Sequence, residues 1–221
     1  MCFSIGHGIA MALPGRFSAE CSPSYATNRV YSQMQPTPYD KGGAVRIHFG
    51  AAYHLALQEH CSLSLGLSYA LGHIGLARDA VELTSSVDEA YFLRYVWVPV
   101  LCRFYTSEVM LDTSIYFKLG IIPSINLPSR VTLPSQSGAP AFLTKRPLGC
   151  FILLGGGVRY DFSPTNSLAL GLSYCWDVPG VMYKKGSNNG RIDCYCHNNF
   201  VCLDLCVYFN SIRMCNGSKH A

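Results

Sequence analysis

Taking every second residue from Val45 gives Val45, Ile47, Phe49, Ala51, Tyr53, Leu55 and Leu57, all apolar. Arg46, His48, Gly50, Ala52 and His54 stand between them. A period of two is the signature of a strand whose faces meet different surroundings. After Gln58, Glu59 and His60 the alternation restarts, with Leu63, Leu65, Leu67, Tyr69 and Leu71 opposed to Ser62, Ser64, Gly66, Ser68 and Ala70. The two runs predict a hairpin with one bulky apolar face and one small or polar face.

The same test predicts eight such segments along the chain. The first is CFSIGHGIAMA, with Phe3, Ile5, Ile9 and Met11 opposite Ser4, Gly6, Gly8 and Ala10, and the two strands of the hairpin follow it. FLRYVWVPVLCRFY is apolar on both faces near its middle, and Pro99, which cannot donate to a ladder, predicts a bulge or a gap in pairing there. VMLDTSIYFKLG sets Val109, Leu111, Ile115, Phe117 and Leu119 against Met110, Asp112, Ser114, Tyr116 and Lys118. GCFILLGGGVRYDF, the run from Leu168 to Trp176, and the run from Val201 to Phe209 complete the set.

Short and long connections alternate. Gln58 to His60, Thr106 to Glu108 and Ser163 to Asn166 read as tight turns. The other connections are long and carry PTPYDKGG, ARDAVELTSSVDE, NLPSRVTLPSQSGAP and KKGSNNGR. In an up-and-down meander this puts the long loops at one end and the tight turns and both termini at the other.

Composition decides which face is inside. Charged residues are 14% of the 221, against 49% hydrophobic, leaner in charge than the roughly one quarter usual for soluble domains. Eight strands enclose a space that side chains just fill, too narrow for the bulky faces of all eight. Turned the other way, the Leu, Ile, Val and Phe faces meet acyl chains, and Gly, Ser, Ala and a few charges fill the interior. The expected fold is all-β: an eight-stranded antiparallel up-and-down transmembrane β-barrel in residues 1–209, with a C-terminal tail at 210–221. Tyr53, Tyr69, Tyr160, Tyr174 and Trp176 are candidates for interfacial girdles. A lipocalin-type soluble barrel, apolar inside and charged outside, is the inverse alternative.

The inward face then carries Arg46, His48, His54, Arg103, Asp112, Lys118, Arg159, Asp161, Asp177 and Asp204. Charge in a closed barrel requires pairing, so these ten are expected to form a polar network that plugs the lumen. The overall charge of +4 is spread along the chain, which argues against nucleic acid as a partner.

Eleven cysteines, mostly within strand segments, read as small apolar fillers. CYCHNNFVCLDLC lacks a CxxC pair and lies largely in extended segments, so no metal site is assigned. No catalytic residue and no cofactor is assigned either, since no GxSxG or comparable pattern is present. The start MCFSIGHGIAMALPGRFSAEC lacks a basic n-region, so an export signal is expected upstream or in degenerate form.

The segment YVWVPVLCRFY followed by LDTSIYFKLGIIPSI, with GGGVRYDFSPTNSLALGLSYCW and NNFVCLDLCVYF, resembles the small outer-membrane β-barrel proteins of Bacteroidetes, including the PorT-like group. Trp97 stands where that family usually has an acidic residue two before the proline, a departure bearing on the family's buried ion pair. The resemblance implies a bacterial outer-membrane location, the lipid bilayer as surroundings, and the barrel-insertion machinery as a partner reading the strand that ends at Phe209. It further implies either a non-enzymatic envelope protein with interacting extracellular loops or an accessory of protein secretion with secretion-system partners. A barrel enzyme acting on lipid A is the remaining alternative.

Overall fold

The computed structural model describes residues 15–32, 39–40, 45–78, 87–128, 131–132, 143–163, 165–185 and 192–210. Eight antiparallel strands close into a barrel: Gly15–Ala26, Val45–Gln58, Cys61–Arg78, a broken fourth strand made of Val87–Trp97 and Val100–Tyr105, then Thr113–Leu127, Leu148–Tyr160, Asn166–Asp177 and Phe200–Asn210. Each pairs with its chain neighbour, and the last pairs with the first through a register that sets Phe17 opposite Phe209 and Tyr25 opposite Val201. Closure leaves no open edge, which a bilayer demands because hydrocarbon satisfies no backbone hydrogen bond.

The register carries the sequence alternation into space. Phe49 faces Tyr69 and Tyr53 faces Leu65 across the hairpin. Leu65, Leu67, Ile115, Ile121, Leu154, Leu172 and Leu203 are exposed on the outside, while Ser64, Arg103, Lys118, Ser173 and Asp204 are buried within. The break in the fourth strand falls at Val98 and Pro99. There the ladder continues through the Val98 amide donating to the Pro123 carbonyl at 2.9 Å and the Gly66 amide donating to the Pro99 carbonyl at 2.9 Å.

Two expectations are corrected. The first barrel strand is Gly15–Ala26, whereas the predicted segment CFSIGHGIAMA lies outside the described residues. Between Phe17 and Tyr25 its outward positions are Ala19, Cys21 and Pro23, too weakly apolar to stand out beside the leucine-rich strands. The fifth strand begins at Thr113, since Val109, Met110 and Leu111 are exposed in a turn that Asp112 closes with φ of 55°. The predicted tail lies, apart from Asn210, outside the described residues.

A four-stranded sheet continues the wall on the long-loop side, in the order Thr144–Lys145, Met182–Lys185, Ile192–His197, Arg29–Ser32. These rim strands prolong the sixth, seventh, eighth and first barrel strands beyond the bilayer. Gly180 makes the turn into Met182 at φ of 71°, a left-handed conformation that glycine adopts without a Cβ clash.

Candidate functional site: the barrel lumen and its two ends

Strands four and five form one wall of the barrel, and strands one and eight form the wall facing it. Arg103 and Lys118 lie directly opposite each other on the first wall. Such like charges repel unless countered. The counter-charges come across the lumen. Arg103 Nη2 meets Glu20 Oε1 at 2.6 Å, and Lys118 Nζ meets Asp204 Oδ2 at 2.9 Å. Arg103 Nη1 also donates to the Tyr208 hydroxyl, and its guanidinium stands 5.6 Å from the Tyr208 ring centroid. Ser22 Oγ donates to Asp204 Oδ1 at 3.0 Å. Each pair is neutral as a unit, and the Tyr208 and Ser22 hydroxyls add hydrogen bonds to it, which lowers the cost of holding charge away from water.

The histidines flank this belt. His54 Nε2 lies 2.7 Å from Ser18 Oγ on the turn side, and His48 Nε2 lies 3.1 Å from Ser24 Oγ on the loop side. A cavity of about 40 Å³ remains between the belt and His48, bordered by Ser173, Cys175 and Cys202. That volume accommodates water, which needs roughly 10–15 Å³ and polar partners.

Towards the loops the lumen becomes apolar. Tyr95, Trp97, Phe151 and Phe200 pack with ring centroids 5.1 to 6.5 Å apart. Ile74, Leu93, Val181 and Met182 join the same buried cluster. The Tyr95 hydroxyl accepts from Asn198 Nδ2 at 2.5 Å. Gly72 leaves room for that pair, because a Cβ there would lie 2.4 Å from Asn198 Nδ2 and 2.8 Å from the Tyr95 ring. Towards the turns the lumen widens into a vestibule of about 1100 Å³, lined by Arg16, His54, Tyr105, Arg159 and Asp161 among others.

The ten residues expected in one lumen network therefore divide. His48, His54, Arg103, Lys118 and Asp204 lie together in the interior. Arg159 and Asp161 pair at 2.7 Å at the turn-side mouth. Asp177 is fully buried, but its Oδ2 accepts from the Val181 and Asn198 amides at 2.8 and 3.0 Å, so it ties the last long connection to the barrel wall. Arg46 donates to its neighbour's carbonyl at Val45 and stands over the Phe92 ring at the loop side. Asp112 is a correction: it is exposed in the turn, because the strand alternation assumed for Val109–Asp112 is absent there.

Glu20, Tyr208 and the aromatic cluster were not anticipated. A signal for Glu20 exists in RFSAECSPSYA, where Arg16, Ser18, Glu20, Ser22 and Ser24 alternate as cleanly as any inward face. For the aromatics the only sign is the apolar character of both faces around Trp97.

Among the described residues no cluster of His, Cys, Asp and Glu has the arrangement of a metal site. Two serine–histidine contacts, Ser24–His48 and Ser18–His54, are noted above, and His54 of the second lines the vestibule. Ser18 is itself buried and His54 Nδ1 has no partner among the described residues, so that pair lacks the orienting third group that activated serines have.

Closed antiparallel topology, an apolar outer belt and an ion-paired interior define a small eight-stranded outer-membrane β-barrel, and the protein is one of the bacterial outer membrane. Among solved structures it is similar to the outer membrane protein OprG from Pseudomonas aeruginosa, with a TM-score of 0.57 and 8% identity over 90% of this chain and 97% of that one. AlkL, solved in DMPC bilayers by solid-state NMR, gives a TM-score of 0.48 and 11% identity over 96% of this chain and 98% of that one. At such identities the likeness concerns the fold. No protein-family model and no curated protein matches the chain.

Proposed function

We propose that the protein is a non-enzymatic outer-membrane barrel whose lumen does not conduct and whose long loop-side connections meet other molecules or cells. The observation that carries this reading is the double obstruction of the lumen, by the Glu20–Arg103 and Lys118–Asp204 pairs at one level and by Tyr95, Trp97, Phe151 and Phe200 at the next. A pore needs water continuous from end to end, and a packed aromatic layer stands in that path. Planar-bilayer recording of the folded chain tests the proposal. The expected result is a flat baseline, and a large stable channel would overturn it.

The barrel-insertion machinery is the proposed assembly partner, supported by the exposed aromatic Phe209 near the end of the closing strand. Within this reading the finer resemblance to PorT-like proteins suggests an accessory of protein secretion. The open vestibule on the turn side, which by topology faces the periplasm, favours it by offering a mixed-charge concavity to a periplasmic partner. Copurification with a secretion complex would support that role, and normal secretion in a knockout would remove it. Chemistry on lipid A is the enzymatic rival. Lipid A altered on overexpression, and restored by Ser18→Ala, would replace the non-enzymatic reading.

A further inference from the structure

We infer that the outer face of the rim sheet binds the phosphorylated saccharide headgroup of an outer-leaflet glycolipid, an inference that rests on the membrane reading above. Register places Tyr183 opposite Tyr195 and Tyr195 opposite Tyr31, giving a row of three tyrosines across adjacent rim strands. The alternate positions Met182, Cys194 and Cys196 are buried, so the tyrosine row points away from the barrel axis. Tyr31 and Tyr195 stack with centroids 5.2 Å apart, and His197 stands edge-on to both at 5.5 and 5.4 Å.

Cations bracket the row. Arg29 is directly opposite His197 in the ladder, and at the far side Arg146 lies 5.0 Å from the Tyr183 ring centroid beside Lys185. Arg29 has no carboxylate partner among the described residues. Asp193, on the same strand as Tyr195, lies two residues further from the barrel. His197 Nδ1 is 2.6 Å from the Asp177 carbonyl, which can only accept, so that nitrogen carries the proton and Nε2 is left to the surroundings.

Position relative to the acyl belt identifies the occupant. Leu168, Leu170 and Leu172 form the lipid-facing column of the seventh strand, which ends in Tyr174 and Trp176. These two aromatics, with Arg29, Tyr31 and His197, line one groove of about 290 Å³, and Arg146, Tyr183 and Lys185 line a second of about 300 Å³. Whatever fills the grooves therefore sits directly above acyl chains, at headgroup height. Phosphate matches the cations, and the flat tyrosine faces match the C–H faces of sugar rings, a combination that a plain phospholipid meets only in part. Basic pockets at the membrane surface hold anionic headgroups in this way.

The test uses the full chain folded into phosphatidylcholine nanodiscs doped with diphosphorylated lipid A or, separately, phosphatidylglycerol, then washed into mild detergent. Lipid retained per barrel is counted by native mass spectrometry, on protein whose heat-shifted gel mobility shows it folded. Wild type should retain lipid A in preference to phosphatidylglycerol. Arg29→Ala and Arg146→Ala should each lower retention of lipid A about fivefold, and Tyr31→Ser with Tyr195→Ser should erase the preference. Equal retention by wild type and the double arginine variant, phosphatidylglycerol held as firmly as lipid A, or a preference that survives loss of the tyrosines would each overturn the inference. A chain that does not enter the nanodisc refutes the membrane reading instead.

Discussion

Glu20 and Arg103 reach across the barrel from facing walls and meet at 2.6 Å, with Arg103 almost wholly screened from solvent. Removing one member leaves the other charge inside the lumen without its ion-pair partner. Arg103→Met should therefore cost about 3–5 kcal/mol in denaturant unfolding from lipid vesicles, whereas Arg103→Met combined with Glu20→Leu should recover much of the loss. Additive losses in the double variant would show that the two side chains act independently.

Sidedness predicts unlike costs for neighbouring substitutions. Leu67 is 61% exposed on the outer surface, opposite Ala51 near the middle of its strand. Leu67→Arg should cost about 2–4 kcal/mol by placing a cation at mid-bilayer. Ser64 is buried, with Oγ donating to the Leu101 carbonyl at 3.2 Å, so Ser64→Arg should instead crowd the lumen beside Arg103 and add unpaired positive charge. Vesicle unfolding with the two variants side by side distinguishes the effects, since lipid thickness should modulate the first and leave the second unchanged.

The aromatic layer gives a prediction that conductance can read. Trp97→Ala with Phe200→Ala removes two rings whose centroids are 5.8 Å apart at the centre of the cluster. Each truncation should cost stability by about 3–5 kcal/mol, and together they should let discrete current steps appear in planar bilayers where wild type gives none. A milder variant, Tyr95→Phe, leaves the Asn198 amide without its acceptor and should cost about 1–3 kcal/mol without opening a path.

Lys145 lies in the rim sheet, outside the bilayer, where it donates to the Leu127 carbonyl. Burial, with a smaller contribution from Arg94, lowers its amine from the ordinary 10.5 to about 8. Because the folded value is depressed, the unfolded chain binds more protons between pH 8 and 10.5, and stability should rise with pH across that window. Below about pH 8 the cost of holding the ammonium is fully present. NMR titration of the isotopically dimethylated amine should give a midpoint near 8, and a midpoint near 10.5 would contradict the burial of this side chain.

How much of this was legible depended on contrast along the chain. Period two picks out seven of the eight strands, most plainly where leucine and isoleucine alternate with serine, glycine and charge, as at Leu63–Leu71 and Leu168–Trp176, and least plainly around Trp97, where both faces are apolar. The strand Gly15–Ala26 has the same alternation, but between Phe17 and Tyr25 its outward members are only Ala19, Cys21 and Pro23, and a pattern built on bulk overlooks it. The turn at Val109–Leu111 misled for the opposite reason, since apolar residues alternate there by composition without pairing to anything but a short bridge.

The sequence by itself determined that this chain turns an oily flank outward and a sparse ionic one inward, because strand geometry sends successive side chains to opposite faces whatever the partners are. Only the tertiary structure decided which charges meet, because closure brings the first and eighth strands face to face with the fourth and fifth, and Glu20 and Arg103 are far apart in the chain. It also decided that the interior is graded, from charged at the centre to aromatic beneath the loops, and that three tyrosines from two separate connections form one row. Those relations depend on register and on the barrel's diameter, and no local pattern encodes either.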